Sequence, residues 1–373
     1  MVNFTTVFCL AGAALAAGLA QAASLKYTLV DNFDSTNFFN EFQFFTDTDP
    51  TNGAVRYVDA VTANRDSLAG YYRDSVYLGV DHTTVLNTTT KRPSVRVTSQ
   101  KAYTKGLFIA DIAHMPAGKT DDDACGLWPA FWTVGPEWPG DGEIDILEGI
   151  NTQSSSAITL HTGKECIISN NGSAPTTSLF NDSCNGKIGC RQETNGKNNY
   201  GAGFNAAGGG IYVVEWTDEA ISAWFFSRDS HQAASLSSST SSSSTGNTKA
   251  ASTQLDTSSF GTPVANFVGG NQCSISDNFK DQSIIINTDF CGEWAGKEWG
   301  QNPTCAALGP SCDDYVAAHP EKFEHAYWLI NSIKVYKAED GNYNASTGSD
   351  SPNKRESQRN VAGKMARGLP FIA

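Results

Sequence analysis

The sequence predicts an all-β domain of two stacked antiparallel sheets, a sandwich or jelly roll. Three observations carry this reading. Charged residues make up only 17% of the 373-residue chain, while Gly, Ser, Thr and Asn are plentiful. That composition favours turns over amphipathic helices. Short runs alternate in the manner of strands, and neither heptads nor longer internal repeats interrupt them. The 40% hydrophobic content suffices for one large domain or two small ones.

The segments follow in order. Residues 1–22 read as a signal peptide. Val7 to Leu19 is apolar and Ala-rich, and Ala20-Gln21-Ala22 fits a small-x-small cleavage site, although no Lys or Arg precedes the run. The run is too short and too rich in small residues to span a bilayer well, and no later stretch qualifies. Residues 24–337 form the predicted domain. Ser94 to Thr98 alternates, placing Ser94, Arg96 and Thr98 on one face. Gly106 to Ile112 is an apolar run, and Ala157 to His161 alternates again. Ile211 to Trp216 and Ala220 to Phe226 read as a hairpin around Thr217-Asp218-Glu219. Gln282 to Asn287 and Tyr327 to Tyr336 are late strands.

Two segments stand apart. Ser235 to Ser244 holds eight serines in ten residues. It lies within a polar stretch, 231–253, that reads as a flexible surface insertion without apolar anchors. Residues 338–373 read as a disordered tail, with Lys354-Arg355 as a processing site.

Net charge is −13, the tail carries +1, and 1–23 carry none, so the stretch between holds −14. Such a surface repels phosphate backbones, which excludes nucleic acid as a natural partner but not a neutral polymer. Cys9 leaves with the signal segment. Cys125, Cys166, Cys184, Cys190, Cys273, Cys291, Cys305 and Cys312 remain, an even set that suits disulfides in a secreted chain. Zinc ligation is the competing reading, but no CxxC pair or Cys/His cluster supports it. The pairing is open, with Cys305 and Cys312 close enough for a small loop. Asn87, Asn171, Asn181 and Asn344 each begin an Asn-x-Ser/Thr sequon and mark expected exposed loops.

The chemistry concentrates in Glu143-Ile144-Asp145-Ile146-Leu147-Glu148. Two carboxyl groups flanking a glycosidic bond hydrolyse it, and retention requires them about 5–5.5 Å apart. Glu143 and Asp145 share a strand face, whereas Glu148 falls on the opposite one. A one-residue bulge at Ile146-Leu147 would return Glu148 to the active face. Three carboxyl groups on one groove then raise at least one pKa, as a general acid needs. An acidic strand facing solvent is the plainer reading. It is weakened by the apolar Ile144, Ile146 and Leu147 and by the preceding Trp128, Phe131, Trp132 and Trp138. Trp128 and Trp132 share a face if extended. Core packing accounts for most single Trp residues, but a cluster beside three carboxylates suits sugar rings.

These residues resemble glycoside hydrolase family 16, whose E-x-D-x-x-E signature the hexapeptide matches. The flanks Cys125 to Trp132 and Gly142 to Asn151 are similar to the fungal laminarinase and mixed-linkage endo-1,3(4)-β-glucanase branch. So are Val214 to Thr217, Phe290 to Gly296 and Tyr327 to Ile333. The resemblance covers roughly 25–337. It implies a β-jelly roll with a concave substrate cleft, Glu143 as nucleophile, Asp145 as its helper and Glu148 as acid/base. It also implies Trp128, Trp132, Trp138, Arg96, His161 and Trp294 as substrate-binding cleft residues, although a lone strand His is more often structural. No cofactor or metal is expected. The expected protein is a secreted or wall-associated monomer acting on β-glucan. The rival readings are a β-glucan transglycosylase, which would use the same residues, and a non-catalytic β-glucan-binding protein, which has no need of both glutamates.

Overall fold

Alternation along each strand gives one apolar and one polar face, and two such faces close on each other. The computed structural model describes residues 26–196, 198–238, 254–339 and 344–347. Two nine-stranded sheets, antiparallel throughout, make up the sandwich. The first runs in the order Gln254–Asp256, Lys26–Asp34, Trp328–Ala338, Gly106–His114, Gly210–Trp216, Ala220–Ser227 and Ala265–Val268, with Ala69–Tyr72 and Ser75–Leu78 joined at its side. The second runs Thr177–Asn181, Cys190–Thr194, Ala157–His161, Glu143–Glu148, Leu127–Val134, Gln282–Phe290, Arg96–Thr104 and Phe42–Phe44. The predicted all-β jelly-roll class, the hairpin around Thr217-Asp218-Glu219 and the late strands are all present.

The core between the sheets takes Val97, Phe131, Ile144, Ile158, Ile284 and Ile286 from the second sheet. Phe33, Phe108, Ile112, Val214, Trp216 and Ile333 come from the first. On the second sheet these residues alternate with Asp145, Trp132, Thr159, Ile285 and Asn287, which lie on the opposite, outer face. The site is therefore built on the back of the core.

A second apolar cluster lies on the far side of the first sheet, around Leu107, Ile109, Trp224, Phe226 and Phe260. Helix His231–Ser238 packs on it through Ala233 and Leu236, both buried. Lys334 Nζ donates to Leu236 O at 3.1 Å, and Ser237 Oγ donates to Asp111 Oδ2 at 2.7 Å. This corrects the expectation of an unanchored insertion for 231–238. The serines mask two small apolar residues three apart, which share a helix face. Residues 239–253 lie outside the described set. The expected tail is likewise not wholly separate, since Asn344–Thr347 pairs with Arg96–Thr104.

Four disulfides form: Cys125–Cys305, Cys166–Cys273, Cys184–Cys190 and Cys291–Cys312. The small loop between Cys305 and Cys312 does not occur. Both residues turn instead into a third cluster, with Trp299, Tyr315 and Phe323, at one end of the second sheet. Of the sequons, Asn87 and Asn171 are exposed. Asn181 has its amide donating to Ser183 O and Gly189 O, so it is a poor acceptor for a glycan.

Truncating Leu236 removes its methyl groups from a packed surface. Leu236→Ala is expected to lower unfolding free energy by about 2 kcal/mol, read from urea denaturation; an unchanged midpoint would show that the helix does not pack there.

Candidate active site

The carboxylate strand is fixed at both ends by its own sequence. Gly142 precedes it at φ +82°, where a Cβ would meet Phe279 Cδ1 at 2.4 Å, so only glycine fits. Gln282 Nε2 donates to the carbonyls of Asp141 and Gly142 at 2.7 and 3.0 Å, and its Oε1 accepts from Thr133 Oγ1 at 2.9 Å. Beyond the strand, Asn151 Oδ1 accepts from Gly126 N at 2.9 Å and its Nδ2 donates to Ala295 O at 3.0 Å. One side chain thus ties the strand exit to Leu127–Val134 and to the 292–296 turn.

Between these anchors the register shifts. Asp145 pairs with Trp132, but Leu147 pairs with Phe131, which leaves Ile146 as the extra residue. Ile146 and Leu147 are both buried in the core. The bulge anticipated at Ile146-Leu147 is present, and Glu143, Asp145 and Glu148 share the outer face.

Asp145 and Glu148 are buried, Glu143 is partly exposed, and all three are engaged. Trp128 Nε1 donates to Glu148 Oε1 at 2.7 Å. Glu143 lies close enough to Asp145 for the two charges to repel. His161 pairs with Glu143 across the sheet. Its Nδ1 lies 2.9 Å from Gly186 O, and a carbonyl only accepts, so Nδ1 carries a hydrogen. Nε2 then faces Asp145 Oδ2 at 3.2 Å and Glu143 Oε1 at 3.8 Å. A neutral ring would offer a lone pair to a carboxylate. One proton must therefore sit between His161 and Asp145. His161 is 9% exposed and lies against the acids, a different place from the open cleft surface.

Burial pushes Asp145 up to about 8. Burial first, then the charge of Asp145, pushes Glu148 up to about 8, against the opposing bond from Trp128. Glu143 is raised by burial and by Asp145, while His161 and Arg96 act to lower it. As a set, the three acids keep protons into the neutral range.

Of the other predicted residues, Trp132 lies beside the acids, its Nε1 donating to Asn287 Oδ1 at 2.7 Å. Asn287 Nδ2 in turn donates to Tyr57 Oη at 3.2 Å. The Arg96 guanidinium stacks between Phe45 at 4.5 Å and Trp132 at 4.9 Å. Trp294 meets Trp128 edge to face at 5.7 Å. Trp138 is 46% exposed on the loop before the strand and makes none of these contacts. Sequence reasoning missed Asn287, Asn151 and Gln282, whose single amides carry no pattern. It also missed Arg191, which stands across from Thr159 in the row that includes Asp145. The alternation of Cys190–Thr194 was the available signal.

Beneath Trp128, Thr51 Oγ1 lies 2.6 Å from Asp49 Oδ2 and 2.7 Å from Asp289 Oδ2. One hydroxyl hydrogen cannot serve both. Burial and the Asp49 charge push Asp289 up to about 7, and a proton there satisfies the contact. A glycine at 53 is required, because a Cβ would stand 2.1 Å from Asp289 Oδ1.

A raised acid pKa has a sign in stability. The folded chain holds protons on Asp145 and Glu148 up to about pH 8, whereas the unfolded chain loses them near roughly pH 4. Between those limits stability falls as pH rises. Asp145→Asn removes one such group. Its melting temperature relative to the native chain is expected to be higher at pH 8 than at pH 5 by about 10 °C, the effect of up to roughly 4 kcal/mol over three pH units. Thermal melts across pH check this; equal differences at both pH values would mean that Asp145 is ionised throughout.

With this geometry in view, similarity to known proteins becomes informative. Residues 42–336 match the XgeA-like, catalytic GH16 domain. The chain is 40% identical over 334 residues to an endo-1,3(4)-beta-glucanase of Arthroderma benhamiae, covering 87% of this chain and 68% of that protein. It is 40% identical over 337 residues to the endo-1,3(4)-beta-glucanase xgeA of Emericella nidulans, covering 88% and 50% respectively. The chain thus spans between half and two thirds of these relatives. Among solved structures, laminarinase 16A of Phanerochaete chrysosporium is 37% identical, with a TM-score of 0.73, covering 84% of this chain and all of that one. An elongating GH family 16 beta-1,3-glucosyltransferase is 42% identical, with a TM-score of 0.72, covering 83% of this chain and all of that one. A jelly roll carrying an E-x-D-x-x-E strand with its bulge, and these similarities over most of its length, make the chain a member of glycoside hydrolase family 16.

Proposed function

We propose that the protein is a secreted endo-1,3(4)-β-glucanase that hydrolyses β-glucan with retention of anomeric configuration. The observation that carries the reading is the bulge at Ile146, which sets Glu143, Asp145 and Glu148 on one face beside Trp128 and Trp132. The relatives named endo-1,3(4)-beta-glucanase support the substrate class. The four disulfides suit an oxidising compartment. Among the described residues, no helix is long and apolar enough to cross a membrane.

In the first step a Glu143 carboxylate oxygen attacks the anomeric carbon. Glu148 gives its proton to the glycosidic oxygen, the carbon–oxygen bond breaks, and a glycosyl ester forms. In the second step Glu148 takes a proton from water, whose oxygen attacks the same carbon and releases Glu143. The productive form has Glu143 ionised and Glu148 protonated. The proton between His161 and Asp145 keeps a second full negative charge from standing beside Glu143. Arg96 and His161 both favour the ionised nucleophile. No coenzyme enters either step.

Transfer to a sugar would use the same first step, and a relative of known structure bears a glucosyltransferase name. Sizing products from laminarin and lichenan separates the outcomes: shortened chains support the glucanase, lengthened ones the transferase, and binding without products a non-catalytic role. Glu143→Gln is expected to abolish turnover. Glu148→Ala is expected to lose about 10²–10⁴-fold on unactivated glucan, while its turnover of an aryl β-glucoside, whose leaving group needs no acid, should rise with azide and give a product of retained configuration. Near-native turnover in either variant would sink the assignment. Trp128→Phe deletes a bond that favours ionised Glu148, so the alkaline limb of kcat/KM should move to higher pH.

A further inference from the structure

A histidine ring has two nitrogens and two neutral tautomers, and packing alone does not choose which nitrogen faces an acid. His161 lacks that freedom. Residues 160–162 each touch the loop from Cys184 to Cys190. Leu160 pairs with Cys190. His161 Nδ1 lies 2.9 Å from Gly186 O. Thr162 N donates to Cys184 O at 2.8 Å, and Gly186 N donates to Thr162 O at 3.0 Å. The backbone on both sides of the imidazole is thus clamped to the loop that supplies its acceptor.

The loop gains little from its own side chains. Ile188 is 73% exposed, and Lys187 reaches outward to Glu293 Oε2 at 3.0 Å. Its shape is set by the bond between Cys184 and Cys190, two fully buried residues. That bond spans a separation of six residues, against 21, 107 and 180 for the other three. It therefore removes the least entropy from the unfolded chain, and its main effect is local. Gly189 completes the fit. At φ +67°, a Cβ there would stand 2.5 Å from Leu160 O and 2.8 Å from His161 Cε1 and Nδ1, so the loop backbone lies directly against the ring. Asn181 Nδ2 donates to Gly189 O at 2.8 Å and pins that end.

This clamp decides where a proton goes. With a hydrogen on Nδ1 for Gly186, Nε2 is left to face Asp145 Oδ2 at 3.2 Å. A neutral ring free to change tautomer would carry its hydrogen on Nε2 and donate it to Asp145, whose carboxylate would then stand fully charged beside Glu143. The Gly186 carbonyl removes that option, so the site keeps one proton more. We propose that the loop 184–190, through the Gly186 carbonyl and the close approach of Gly189, is a positioning device that fixes the His161 ring and thereby holds the proton at Asp145. The effect on turnover rests on the glucanase reading, whereas the state of the ring does not.

The test uses the full chain in two loop variants. Cys184→Ala with Cys190→Ala opens the loop, and Gly189→Ala keeps the disulfide but crowds the ring. Circular dichroism confirms that each is folded. Nuclear magnetic resonance of chains with 15N-labelled histidine reads the ring itself, and His161→Gln assigns its signal among the six histidines. The native chain should show a slowly exchanging Nδ1–H of His161, and both folded loop variants should lose it. The same resonance in native and variant chains would overturn the proposal. Activity on laminarin gives a second reading. Opening the loop should lower kcat/KM about tenfold in the native background and cost nothing further in His161→Gln, because the loop acts through that ring. Equal losses in both backgrounds would also overturn it, since the loop would then matter only to structure. A native chain without turnover on laminarin or lichenan would sink the glucanase reading, and the ring resonance would still decide the positioning claim.

Discussion

An antiparallel strand offers alternate residues to alternate faces, and a residue three positions beyond an acid cannot join it without a break in that rhythm. At Ile146 the rhythm breaks, and both neighbours of the break, Ile146 and Leu147, go into the core. The core holds the bulge because it buries two apolar side chains in succession. The outer face gains a third carboxyl group from the same shift. Gly142 and Gln282 at one end and Asn151 at the other exist to keep the strand from sliding. A one-residue slip would turn every acid inward.

Once the acids are gathered, water is largely excluded from them. Each would be costly to ionise alone. The surroundings offset this unequally. Glu143 has His161 and Arg96 in reach, Glu148 has the Trp128 N–H and Arg191, and Asp145 has Glu143 and the His161 ring. That inequality separates the roles. On the proposed mechanism, similar carboxyl groups on one strand serve as a nucleophile, a proton holder and an acid because their neighbours differ.

Much of this could be read from the sequence because it obeys period two. The alternation of Ser94 to Thr98 placed Arg96 correctly, and the spacing of Trp128 and Trp132 placed both on one face. The failure of Glu148 to fit the alternation announced the bulge. What could not be read depends on partners distant in the chain. Cys305 lies seven residues from Cys312 yet joins Cys125, 180 residues away, because the third cluster draws each sulfur inward separately. His161 pairs with Glu143 through sheet register, and no local pattern reveals which acid its ring faces. Phe180 violates alternation through a bulge between Leu179 and Asn181, but without an acidic signature nearby the violation carried no meaning. Helix His231–Ser238 was hidden by serine, whose weak helix propensity is outweighed by burial of Ala233 and Leu236.

The two stacked arginines bear on the choice between hydrolysis and transfer. On the proposed mechanism both outcomes share the glycosyl ester, and both use Glu148 to remove a proton from the incoming hydroxyl. Water needs no binding surface, but a sugar does. The ratio of the two products therefore depends on how long the surface beside the acids stays occupied after bond cleavage. Arg96 stacks on Trp132 on one side of the acids, and Phe180 and Arg191 lie on the other side. A family whose members carry both glucanase and glucosyltransferase names can differ at such a surface while leaving Glu143, Asp145 and Glu148 untouched.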